Sequence, residues 1–104
     1  MTMQASLTGQ EAIRDISALV WQTVTQSKPD TWEATYSGDV IALDEKYGCH
    51  TISAYLNTDG NINIFATHVA HRWEFGVPPN RAVARVAALI HQVTAREDAD
   101  ADVQ

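Results

Sequence analysis

The sequence predicts an α+β domain: a helix, four antiparallel strands forming two consecutive hairpins, then a second helix, with both helices on one face of the sheet. Three patterns predict it. Apolar residues recur at three- and four-residue spacing near both ends of the chain, apolar and polar residues alternate between those regions, and Gly38-Asp39 and Thr58-Asp59-Gly60 punctuate the alternating runs. With 104 residues, 45% of them hydrophobic, the chain has the size and composition of one domain with one core. The expected limits are a flexible N-terminus over 1–8, the domain over 9–96 and a disordered acidic tail over 97–104.

Thr8 and Glu11 form a T-x-x-E capping box, in which each side chain satisfies the other's backbone donor, so a helix should begin near Gly9. Ala12, Ile13, Ile16, Leu19, Val20 and Val24 make its buried stripe, with Trp21 at the stripe's edge. It should end near Ser27, because Lys28 precedes Pro29 and the proline ring disfavours helical geometry there.

Trp32, Ala34 and Tyr36 alternate with Glu33, Thr35 and Ser37, and a Gly38-Asp39 turn pairs Tyr36 with Ile41 and Ala34 with Leu43. The second hairpin, Cys49 to Val69, selects its own register. A three-residue turn over 58–60 sets Leu56 against Ile62, Ala54 against Ile64, Ile52 against Ala66 and His50 against His68 on one face. A two-residue turn would scatter the apolar residues over both faces. Thr51, Ser53, Tyr55, Asn63, Phe65 and Thr67 are then expected to face outward. The segment 70–76 alternates as well, with His71, Trp73 and Phe75 on one side, and is expected to extend the last strand or cross the sheet. Pro78-Pro79-Asn80 opens the second helix, through a proline in its first turn or through Asn80 as cap. Its stripe is Ala82, Val83, Val86, Leu89, Ile90 and Val93, and it should end at Arg96.

The formal net charge is −6. Residues 1–69 hold three basic and eight acidic side chains, residues 70–96 hold four arginines and Glu74 alone, and four more acids follow from Glu97 onward. An acidic surface argues against a dedicated nucleic-acid or anionic-membrane binder, since both need a large cationic surface. A single cysteine, Cys49, excludes an internal disulfide. The N-terminal residues lack the basic start and apolar run of a signal peptide, and no stretch is apolar enough for a membrane span, so a cytoplasmic location is the default expectation.

Three groups of residues carry candidate chemistry. His50 and His68 face each other across the ribbon, with His71 three residues further on. Imidazoles so placed suit a metal such as zinc, although no C-x-x-C or H-E-x-x-H accompanies them and hydrogen-bonded histidines at the end of the core are the plainer reading. Cys49 lies next to His50, but adjacent strand residues point to opposite faces, and no oxyanion donor set is evident, so a nucleophilic role is not expected.

Arg72, Arg81 and Arg85 gather before and at the start of the second helix, where an anion is favoured by the helix dipole. The order helix, strands, helix with basic residues at the start of the last helix resembles double-stranded-RNA-binding domains in topology. That resemblance implies nucleic-acid contact through these arginines. The chain departs from the pattern by lacking the lysine cluster, adding a strand and being acidic; pairing of the arginines with Glu74 is the alternative.

Glu33, Asp39, Asp44 and Asp59 form an acidic set on the hairpins, while Trp73 and Phe75 carry large apolar surface of the kind that dominates protein interfaces. The resulting expectation is a small non-enzymatic protein without cofactors that binds another protein, as an inhibitor or adaptor of the immunity or anti-defence kind. Glu33, Asp39, Asp44, Trp73 and Phe75 are its contact residues, and homodimerisation is a second mode.

Overall fold

A computed structural model describes residues 7–26, 31–67 and 72–103, with the side chains of 72 and 96–103 left out. The elements run α1 (Gly9–Gln26), β1 (Trp32–Ser37), β2 (Val40–Glu45), β3 (Thr51–Leu56), β4 (Ile62–Ala66), β5 (Arg72–Val77) and α2 (Pro79–Val103). The five strands form one antiparallel sheet in sequential order.

The capping box forms as its residues require. The Thr8 amide donates to Glu11 Oε1 at 2.9 Å and the Glu11 amide to Thr8 Oγ1 at 3.1 Å. Gly9 then meets the β3–β4 turn at close range: a Cβ there would sit 2.5 Å from the Gly60 carbonyl oxygen and collide with Leu56. This start therefore needs glycine for proximity rather than for backbone freedom. At α2 the proline alternative holds. Pro79 occupies the first turn, the Ala82 amide bonds to the Pro78 carbonyl at 2.8 Å, and the Asn80 side chain accepts from the Leu7 amide at 2.8 Å, tying the two helix starts together.

Both hairpins adopt the registers read from the sequence. Tyr36 lies opposite Ile41 and Ala34 opposite Leu43, while Ile52, Ala54 and Leu56 lie opposite Ala66, Ile64 and Ile62. Gly60 takes φ 89° and Asn57 closes the turn onto Asn61. α1 packs over β1, β2 and β3, α2 over β3 and β4, and the helices pack on each other. Their stripes meet the inward residues Trp32, Ile41, Leu43, Ile52, Ala54, Ile62, Ile64 and Ala66 in one core. At roughly 1.5–3 kcal/mol for each large apolar side chain, this layer is the main source of stability before conformational entropy is counted.

Four features differ from expectation. The sheet has five strands rather than four, because Arg72–Val77 pairs along the free edge of β4. Its alternation was visible, but no short turn marks its partner. Asn63 lies on the outer face as expected, yet it is only 8% exposed. Ile64 faces Glu74 whereas Ile62 faces Val77, so Phe75 and Gly76 together oppose Asn63 in a bulge, with Gly76 at φ 64°. The extra residue turns Val77 inward, where it is 7% exposed. Asn63 Oδ1 accepts from the Gly76 amide at 2.8 Å and exchanges two amide bonds, of 2.7 and 3.1 Å, with Asn57. Third, Tyr36 is 55% exposed despite its inward register, because the helical layer does not roof the tip of the first hairpin. Finally, the α2 backbone stays helical to Val103, past Arg96. Among the described side chains, Val93 is the last that it contributes to the core. The Ala-rich, Pro-free continuation contains no helix breaker.

Candidate functional site: the aromatic outer face

With both helices on one side, no described element covers the other face of the sheet. Its outward positions are Glu33, Thr35 and Ser37 on β1, Val40, Ala42 and Asp44 on β2, Thr51, Ser53 and Tyr55 on β3, Asn63 and Phe65 on β4, and Trp73 and Phe75 on β5. None of these strand positions holds Lys or Arg.

The apolar content concentrates at one side. The Phe65 and Trp73 rings, cross-strand partners, lie with centroids 4.6 Å apart and a 37° tilt. Tyr55 meets Trp73 edge to face at 5.9 Å, and Phe75 stacks on Trp73 at 5.5 Å and 10°. Trp73 is thus the hub of four rings spread over three strands. It remains 42% exposed, and Phe75 70%. Trp73 and Phe75 occupy alternate outward positions on β5, Phe75 as the first residue of the bulge, and the Asn63–Gly76 bond pins the bulge. Such ring pairs add about 0.5–1.5 kcal/mol each beyond burial, so the cluster is preformed rather than assembled on contact.

The acidic part of the face lies on β1 and β2. Glu33 and Asp44 are directly opposite each other, a like-charge pair that disfavours the isolated sheet. The Thr51 hydroxyl bonds to the Asp44 carboxylate, and Thr51 is in turn held by Thr67, whose hydroxyl accepts from the Thr51 amide at 2.8 Å. At about 4.8 Å per strand, the carboxylates of β2 stand some 14 Å from β5.

The structure therefore divides the residues expected at a protein contact. Trp73 and Phe75 fall in the aromatic cluster, and Glu33 and Asp44 on the far side of the same face. Asp39 belongs to neither group: it borders a cleft on the helical side, with Tyr36 and Trp21. Asp59 serves its own turn, accepting from the Asn61 amide at 2.9 Å. Tyr55 and Phe65 were seen in the sequence as outward aromatics. Their union with Trp73 was not, since it depends on the fifth strand.

Of the expected anion set, Arg85 is engaged, its Nε 2.6 Å from Glu74 Oε2 with both side chains about 30% exposed. Glu74 occupies an inward position opposite Ile64 at the sheet margin, and Arg85 reaches it from α2. Arg81 is exposed, and the side chain of Arg72 lies outside the described residues. Of the expected metal set, His50 is half-buried and its carbonyl accepts from the Glu45 amide at 2.9 Å, whereas His68 and His71 lie outside the described residues. Among the described residues no three of His, Cys, Asp or Glu are grouped to hold a metal ion. Cys49 is exposed. Among the described residues no helix is long and apolar enough to cross a membrane.

Comparison of the chain with known protein families, with curated proteins and with solved structures finds no match.

Proposed function

We propose that this protein acts by binding another protein through the uncovered face of its sheet, without catalysis. The four-ring cluster carries the reading. A small domain gains little from leaving Trp73 at 42% and Phe75 at 70% exposure in a contiguous patch, and such patches mark interaction surfaces. The fitting partner presents an apolar recess for Trp73 and Phe75, and Lys or Arg side chains where Glu33 and Asp44 lie. Desolvated aromatic anchors would supply affinity, and the charged margin would supply association rate and orientation.

Nucleic acid fits this face poorly. Sheets that stack bases on aromatic rings combine them with cations along the phosphate track, whereas the outward strand positions here hold two carboxylates and no Lys or Arg.

The test is affinity capture from the source cells with three baits: wild type, Trp73→Ser with Phe75→Ser, and Glu33→Lys with Asp44→Lys. Binding of the captured protein is then measured with purified components. Loss of binding with the aromatic variant, and a weaker, more slowly associating complex with the charge-reversed one, is the expected result. Undiminished binding by both variants would refute the proposal. Concentration-dependent dimerisation that the aromatic variant abolishes would identify the partner as a second copy. Saturable binding of a single-stranded oligonucleotide, lost in the aromatic variant, would replace the protein partner with nucleic acid.

A further inference from the structure

The helical side of the sheet has an opening of its own. Ile41 is 1% exposed, yet its cross-strand partner Tyr36 is 55% exposed, and Trp21 on α1 is 49% exposed. A cleft of about 420 Å³ between α1 and the first hairpin is lined by both rings. Ile13 and Leu56 give it an apolar lining continuous with the core, Arg14 contributes a cation from the helix, and Asp39 contributes a carboxylate from the hairpin turn. The volume lies within the range of small-molecule sites, which are mostly apolar with a few placed polar groups.

The polar groups differ in availability. Ser17 also lines the cleft, but its hydroxyl donates to the Ile13 carbonyl at 2.8 Å and so serves its own helix. Arg14, its side chain 73% exposed, is held loosely by a 3.9 Å contact with Asp15. The cleft thus combines two half-exposed aromatic rings, an apolar lining and one charge of each sign on separate elements.

We propose that this cleft binds a small aromatic zwitterion of the amino-acid class. Its ring lies against Trp21 and Tyr36, its carboxylate meets Arg14 and its ammonium meets Asp39. The site is on the opposite side of the sheet from the protein-binding face and stands independently of that reading.

The three tryptophans provide the test, because each reports on a different place: Trp21 on the cleft, Trp32 on the core, where it is 4% exposed, and Trp73 on the outer cluster. Indole N–H resonances of ¹⁵N-labelled protein are followed during titration with phenylalanine, with phenethylamine, which lacks the carboxylate, and with 3-phenylpropionate, which lacks the ammonium. Phenylalanine should shift Trp21 saturably, with Kd on the order of 0.1–1 mM for so small a ligand, and leave Trp32 and Trp73 in place. Each single-charge probe should bind about fivefold more weakly, the scale of one solvent-exposed ion pair. Arg14→Gln, at an exposed position that does not threaten the fold, should bring phenylalanine down to the affinity of phenethylamine. Absence of a saturable Trp21 shift, equal affinity for all three probes, or a shift confined to Trp73 would overturn the proposal.

Discussion

Asn63→Ala tests the link between the bulge and the aromatic surface. Asn63 is the one polar side chain among the described residues that is essentially buried, and it makes three hydrogen bonds: one from the Gly76 amide and two shared with Asn57. Truncation leaves the Gly76 amide and the Asn57 side chain without this partner. Each lost bond is worth about 0.5–1.5 kcal/mol net, and more where the abandoned group stays dry. Because Asn57 is only half-buried and Gly76 is exposed, water replaces part of the loss, and a destabilisation of about 2 kcal/mol is expected. That corresponds to a fall in Tm of roughly 10 °C for a domain of this size. The loss should also be local. Hydrogen exchange should accelerate most at β5 amides, and near-ultraviolet circular dichroism from the stacked rings should diminish, because β5 holds Trp73 and Phe75 in the cluster. Asn63→Asp keeps the acceptor for Gly76 and should recover part of the protection. Urea unfolding within 0.5 kcal/mol of wild type, about the effect of an ordinary surface change, with β5 exchange unaltered, would refute the view that this amide clamps the edge strand.

Two further outcomes follow from the start of α1. Gly9→Ala improves helix propensity by up to about 1 kcal/mol, but its methyl meets Leu56 and the Gly60 carbonyl. Net destabilisation of about 1–3 kcal/mol is therefore expected in chemical denaturation, and a more stable variant would show that the helix start can move away from the turn. Glu11 is held below its ordinary value of 4.5, first by the hydrogen bond from the Thr8 backbone, then by the Thr8 hydroxyl, with a smaller contribution from Arg14. A depressed carboxyl stabilises the fold fully above its unfolded value, and the stabilisation is lost as pH falls through the folded one. The contribution should therefore be complete above about pH 4.5 and drain below it. Glu11→Gln retains a capping side chain but removes the titration, so its stability should depend less steeply on pH in that acid range. An unchanged slope in acid denaturation would count against the capping role.

Much of the fold was legible because its determinants are local. The T-x-x-E box, the prolines before α2 and the two turns act over a few residues. The parity of the apolar residues in the second hairpin excluded the alternative register, since a slip of one residue would have sent Ile52, Ala54 and Leu56 to the wrong face. The candidate site was legible only in pieces. Trp73, Phe75, Tyr55 and Phe65 each stood out as large apolar residues, and Glu33 and Asp44 as members of an acidic set on the hairpins. Asp39 was grouped with Glu33 and Asp44, whereas it borders the cleft on the helical side; sequence position within a hairpin does not tell which layer its turn approaches.

The sequence by itself determined the helix starts, the registers of both hairpins and the inward residues of the core, since periodicity and turn chemistry are written residue by residue. Tertiary structure alone decided where Arg72–Val77 pairs, that Gly76 bulges around a buried Asn63, and that Tyr36 remains uncovered. The physical reason is that strand pairing across a connection without turn residues, such as 67–71, and the reach of a helix over a sheet, depend on how whole elements share space. No short stretch of chain encodes that quantity. The aromatic cluster and the cleft both arise from it: the first because a fifth strand completes the ring contacts, the second because the helical layer leaves the tip of the first hairpin unroofed.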